Sequence, residues 1–156
     1  MKTLAAVGAA AFLMLAGPSA ADEDPRYYFQ TSLLTRHFEP KPEHNNQQGL
    51  LNVERYWDEG LLIGGAYFRN SFNQPAQYVY VGKRYTLPYT REAFYAKITA
   101  GLLHGYKDEY QDRIPLNGYG VAPAVLPALG FRGKTLGGEL IIFGTAGAML
   151  TIGFGF

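Results

Sequence analysis

The last nine residues, Ala148 to Phe156, constrain the fold more than any other stretch. Leu150, Ile152, Phe154 and Phe156 alternate there with Met149, Thr151, Gly153 and Gly155. Successive side chains of a strand point to opposite faces, so large apolar residues fall on one face and mostly small ones on the other. That is the pattern of a strand with lipid outside and a narrow lumen inside. A soluble domain usually lets its terminus fray into water. A bilayer is therefore the expected solvent.

The other end of the chain agrees. Met1-Lys2 is followed by an uncharged run from Thr3 to Gly17 and then by Pro18-Ser19-Ala20-Ala21. This reads as a secretory signal peptide over residues 1–21, cut after Ala21, with the barrel over residues 22–156. The run is too short for a spanning helix. The absence of cysteine excludes lipidation at a thiol, disulfides and thiol catalysis together. Of 14 basic and 13 acidic residues, cleavage removes Lys2 and leaves a formally neutral chain. A neutral chain gives no electrostatic reason to expect nucleic acid as a partner. Twelve tyrosines against a single tryptophan suit a membrane interface, where one end of the ring is dry and the other wet.

Beyond the signal peptide the longest uncharged run, Ile114 to Phe131, is broken by Pro115, Pro123 and Pro127. A spanning chain without an apolar helix must close into a barrel, because only closure satisfies every backbone donor and acceptor. Eight strands are expected: Tyr27–Phe38, Gly49–Tyr56, Leu61–Phe68, Gln77–Tyr85, Ala93–Tyr106, Tyr119–Phe131, Thr135–Phe143 and Gly147–Phe156. The predicted class is all-β, an eight-stranded antiparallel transmembrane β-barrel, monomeric and in the bacterial outer membrane. Connections 38–48, 69–76 and 107–118 are long and polar, whereas 57–60, 86–92 and 132–134 are shorter, which puts the long ones outside the cell and the N-terminus in the periplasm. Val79 and Val81 should face lipid while Tyr78, Tyr80, Gly82 and Arg84 face the lumen. Likewise Phe94, Ala96, Ile98, Ala100 and Leu102 should face out, opposite inward Lys97 and Thr99.

The inward rows hold Asn52, Glu54, Lys97 and Glu139 but also Ile141, Phe143, Met149 and several glycines. Eight strands allow either a lumen plugged by side chains or one that holds a ligand. An apolar upper lumen would suit a hydrocarbon chain. The residues able to do chemistry are His37, at the outer end of the first strand, and Asn70-Ser71, just past the outer end of the third. Histidine near neutral pKa can take a proton from a serine hydroxyl, and an amide can orient the ring or stabilise an oxyanion. Asn-Ser in a loop is also ordinary turn chemistry, and a rim histidine is often simply solvated. His104 shares the outward parity of Leu102 and His44 lies in a polar loop; neither is assigned a role. No metal-ligand spacing or phosphate-binding glycine loop is present, and no cofactor is called for.

The segment Gly65-Ala66-Tyr67-Phe68-Arg69-Asn70-Ser71-Phe72-Asn73, followed by Tyr78-Val79-Tyr80-Val81-Gly82, resembles the outer-membrane lipid A palmitoyltransferase family, PagP. In that family an aromatic, a basic residue, Asp and Ser precede an aromatic, and a glycine eleven residues after the serine lies at the barrel floor; Ser71 to Gly82 keeps that spacing. His37-Phe38, Thr99-Ala100-Gly101, Ile114-Pro115-Leu116 and Val125-Leu126-Pro127 resemble further family features in the same order. The resemblance implies transfer of a palmitoyl chain from a glycerophospholipid donor to lipid A, with outer-membrane lipids as surroundings. His37 would be the base, Ser71 its hydroxyl partner and Asn70 the third catalytic position. Gly82, with Tyr80 in the same inward row, would line the acyl-chain pocket and set its length, since glycine has no Cβ to block the chain; a strand bend is the usual role of a barrel glycine. Two departures stand out. The family's amphipathic helix before the first strand is missing, and its acidic residue before the serine is Asn70, which carries no charge. Glu39 or Asp108 are candidate substitutes.

Pro115, Pro123 and Pro127 have a role independent of the resemblance. Proline cannot donate to the ladder, so prolines in or beside one strand weaken its pairing and favour lateral access for lipid; for Pro115 an irregular loop serves as well. The competing function is a non-enzymatic small barrel that anchors, adheres or stabilises the envelope. A lipid A deacylase ranks below both, because no histidine lies near the last strands. What discriminates the first two is whether His37 and Ser71 converge over an apolar cavity reaching Gly82.

Overall fold

The computed structural model describes residues 26–90 and 93–156, so the expected signal peptide lies outside the described residues. Eight strands form: β1 (Tyr27–His37), β2 (Leu51–Tyr56), β3 (Leu61–Arg69), β4 (Pro75–Thr86), β5 (Phe94–His104), β6 (Val121–Arg132), β7 (Leu136–Ile142) and β8 (Gly147–Gly155). They close into one antiparallel barrel in chain order, with β1 pairing β8. Every strand end lies within two residues of the end its alternation predicts. That agreement has a cause: a slip of one residue would turn an entire apolar row inward.

The outward row is apolar and exposed, as at Val79 and Val81 on β4, Ile98 and Leu102 on β5, and Leu150, Ile152 and Phe154 on β8. Phe156 continues it and stacks on Tyr27 with ring centroids 5.7 Å apart. Phe94 and Phe131 pair along the same rim. This rim, called lower here, holds the β2–β3, β4–β5 and β6–β7 connections, and the upper rim holds the loops 38–50, 70–74 and 105–120 and the short turn 143–146.

The lower lumen is filled by charge. Lys97 Nζ donates to Glu54 Oε1 at 2.6 Å and to Glu139 Oε2 at 2.7 Å, and none of the three side chains is more than 4% exposed. Tyr56 and Tyr80 donate to Glu54, and Tyr95 to Glu139. Arg132 lies over the Tyr28 ring. Buried charges persist only where partners replace water, and here each carboxylate has both a cation and phenol donors.

Above this plug Tyr78 and Tyr80 stack with centroids 4.6 Å apart and spread across the lumen. The Tyr80 hydroxyl, which donates to Glu54, also lies 2.9 Å from Asn52 Oδ1 on β2, while the Tyr78 hydroxyl donates to the Ala124 carbonyl on β6. Over that floor the inward residues turn apolar and half-buried: Ala66, Phe68, Leu103, Ala124 and Leu126. The interior thus carries a polar, charged plug in its lower half and apolar side chains above the two tyrosines.

Two ladders are short at the upper rim. On β6, only Ala128–Arg132 pair with β7, leaving the stretch from Val121 to Pro127 paired to β5 alone. On β1, only Tyr27 to Thr31 pair with β2. The second gap is bridged by side chains, with Leu50 N donating to Ser32 Oγ and Thr35 Oγ1 to Gln48 Oε1.

Candidate active site

A bulge delivers His37 to the lumen. Tyr28 and Gln30 face inward on the lower part of β1, and that parity would send His37 outward. Between Ser32 and Leu34 the register with β8 shifts by one residue. Leu33 and Leu34 are both exposed, and beyond them Thr35 and His37 are buried. A bulge inserts one unpaired residue and re-aims the side chains that follow it.

Ser71 sits in the turn between β3 and β4, and Asn70 builds that turn. The Asn70 side chain is completely buried. Its Oδ1 accepts from the backbone N–H of Phe72 (2.9 Å) and of Gln74 (3.0 Å), and its Nδ2 donates to the Gly105 carbonyl (3.2 Å). This is the local side-chain-to-backbone bonding that asparagine favours. The loop after β1 joins the same assembly, because the Asn45 N–H donates to the Ser71 carbonyl at 2.7 Å.

These elements bring His37 and Ser71 together. His37 Nε2 lies 2.8 Å from Ser71 Oγ, and His37 Nδ1 lies 2.8 Å from Asn46 Oδ1. An amide oxygen only accepts, so Nδ1 carries the proton and Nε2 offers its lone pair to the serine hydroxyl. Both ring nitrogens are then occupied. Glu39 and Asp108 therefore do not take the orienting position, and neither does Asn70, whose amide is spent on the turn. Asn46 fills it from a loop whose run of amides, Asn45-Asn46-Gln47-Gln48, gave no periodic signal.

Two further side chains complete the site. Tyr106, from the loop after β5, lies near Ser71; burial pushes its phenol above the ordinary range and the neighbouring serine offsets part of that. Its phenol is thus neutral beside the serine. His44 stacks on His37 with centroids 4.2 Å apart and meets Phe72 edge-on. Burial and the neighbouring His37 lower its pKa. Phe72 stacks in turn on Tyr110 at 4.0 Å. Residues from three loops thus cap one histidine–serine pair.

No protein-family model matches the chain, and no curated protein matches it. The site is therefore read from its own geometry.

The pocket residues are placed less simply. Tyr80 is part of the floor itself. Gly82 lies two residues below it, and a Cβ there would stand 2.5 Å from the Ile98 carbonyl oxygen and 2.9 Å from Thr99 Cγ2. Tyr78 and Tyr80 cross the lumen between Gly82 and the His37–Ser71 rim. Pro123 and Pro127 fall on the part of β6 that has no β7 partner. Arg132 N donates to Ala93 O across β5, so even-numbered β6 positions bond β5 and the odd ones, including both prolines, turn their donorless nitrogens toward β7. Pro115 lies outside the strand, exposed in the loop before it. His104 pairs with Gln77 at 2.8 Å on the outer face, away from the site.

Proposed function

We propose that this protein is an outer-membrane acyltransferase that moves a palmitoyl-type chain from a glycerophospholipid to lipid A, with His37 as general base. The observation that carries the reading is the Ser71–His37–Asn46 chain of hydrogen bonds at the upper rim, above the apolar side chains that overlie Tyr78 and Tyr80. The exposed apolar exterior and its aromatic rim suit lipid.

The chemistry follows from the donors and acceptors present. The lipid A hydroxyl replaces Ser71 Oγ as the partner of His37 Nε2, which takes the hydroxyl proton as the hydroxyl oxygen bonds to the donor ester carbon. In this reading the Tyr106 hydroxyl near Ser71 would donate to the developing oxyanion. When the donor ester bond breaks, the proton passes from His37 to the departing lysophospholipid oxygen. Asn46 fixes the tautomer but bears no charge, so it supports the imidazolium less than a carboxylate would. The unpaired stretch of β6 beside Pro123 and Pro127 is the side door for a lipid that arrives within the membrane plane.

The test is mass spectrometry of lipid A from cells that express wild-type protein, His37→Ala or Ser71→Ala. Addition of a C16 chain by the wild type and its loss in both folded variants is expected. If wild-type protein in the membrane adds no chain, the non-enzymatic barrel is the better reading. If both variants keep full activity, the site is elsewhere.

A further inference from the structure

Gly82 has lumenal parity, opposite Leu62 and Thr99, but its backbone also borders a hollow on the outer face. On the outer face of the wall, a groove of about 640 Å³ is lined by Trp57, Leu61, Val81, Ile98, Ala100 and Val125 together with Gly82. Lys83 lies at this groove and also lines a second cavity of about 390 Å³, formed with Glu59, Gly60, Arg84, Tyr85 and Thr86. The two hollows meet at one lysine. One is apolar and the other polar.

The charges in the polar hollow are not equivalent. Arg84 turns inward and lies over the rings of Tyr56 and Tyr95. Lys83 points outward, its ammonium 5.5 Å from the Tyr85 ring centroid, and among the described residues it forms no ion pair. Glu59 contributes the opposing charge from the turn below. Lys83 is therefore the cation available to an external anion, framed by Trp57 and Tyr85 in the zone where aromatic rings meet headgroups. Eight residues of β4 separate it from Pro75 at the upper rim, roughly 20 Å along the axis at a rise of about 3.3 Å and a tilt of about 40°.

We propose that this double hollow is a binding site for a glycerophospholipid with an anionic headgroup, in the leaflet at the lower rim. Lys83 holds the phosphate, and one acyl chain lies in the groove over Gly82. The proposal rests on the membrane location given above but not on acyl transfer, because the site is on the opposite side of the leaflet boundary from His37 and Ser71. A polar hollow with a spare cation, continuous with an apolar groove, matches the two ends of a phospholipid.

Trp57 makes the site directly readable, since the sequence contains one tryptophan and it lines the groove. The mature protein is reconstituted in phosphatidylcholine vesicles containing increasing fractions of brominated phosphatidylglycerol or brominated phosphatidylcholine, and Trp57 fluorescence is followed. Half-maximal quenching is expected at about five-fold lower mole fraction for the anionic lipid, the effect of one lysine near the surface. Lys83→Gln should abolish that preference, Lys83→Arg should keep it, and Lys134→Gln, a cation in another turn of the same rim, should leave it unchanged. Equal quenching by the two lipids, or a preference that survives Lys83→Gln, overturns the site while leaving the membrane location standing. Absence of quenching by either lipid overturns both.

Discussion

Lys97→Met removes the ammonium that joins Glu54 and Glu139 while keeping most of the side-chain volume. Each carboxylate keeps its tyrosine donors, Tyr56 and Tyr80 for Glu54 and Tyr95 for Glu139. Neither has solvent, since both side chains are 0% exposed. Breaking a buried ion pair from one side costs about 3–5 kcal/mol, because the partner charge is left uncompensated. One lysine serves two carboxylates here, so the loss should fall near about 5 kcal/mol, a large share of a typical total of about 5–15 kcal/mol. Adding Glu54→Gln and Glu139→Gln to the same chain removes the stranded charges while leaving oxygens for the tyrosine hydroxyls. That triple variant should recover all but about 1–2 kcal/mol. The assay is a denaturant titration of the refolded barrel in detergent micelles, read by Trp57 fluorescence and by the mobility shift of folded barrels on unheated gels. A Lys97→Met midpoint within about 1 kcal/mol of wild type, or a triple variant as unstable as the single one, refutes the view that the plug is held by compensated charge.

Three further outcomes follow from the same geometry. Asn46→Ala should lower acyl transfer roughly 10- to 100-fold by freeing the His37 ring, with little loss of stability, whereas Asn70→Ala should lower stability by about 1–3 kcal/mol by stranding the turn's N–H groups; unfolding midpoints and lipid A profiles of the two variants separate these effects, and equal behaviour contradicts the assignment. Gly82→Ala should destabilise the barrel by about 1–3 kcal/mol through overpacking and leave the transferred chain length unchanged, while Tyr78→Ala should lengthen it, each added buried methylene being worth about 0.8 kcal/mol; a shorter chain from Gly82→Ala would show that the acyl chain does reach that depth. Because the folded state disfavours protonated His44, its contribution is present above the unfolded histidine pKa of about 6.5 and is lost as pH falls through the lower folded value. Glu43 opposes this shift and Lys41 and Arg113 reinforce it, so stability should decline below about pH 6 in wild type and less in His44→Phe, and identical pH profiles would contradict the stacking role.

The alternation of β8 and of β4 was enough to place strands and faces, because a side-chain period of two assigns each residue to one face or the other, and closure was the expectation for a chain taken to span a bilayer by strands. The sequence also singled out His37 and Ser71 as chemically able groups, though not their contact. That contact depends on the bulge at Ser32–Leu34, whose position is set by pairing with β8 and has no local signature; without it His37 would face out. The exchange of roles between Asn46 and Asn70 was hidden for a related reason. Both are loop asparagines, and only the long-range bonds to Gly105 and His37 decide which amide holds a turn and which holds a ring. Gly82 marks the limit of spacing arguments: its inward parity was legible, but whether space lies before it depends on how Tyr78 and Tyr80 cross the lumen, and a packing choice between strands far apart in sequence is made only when the barrel closes.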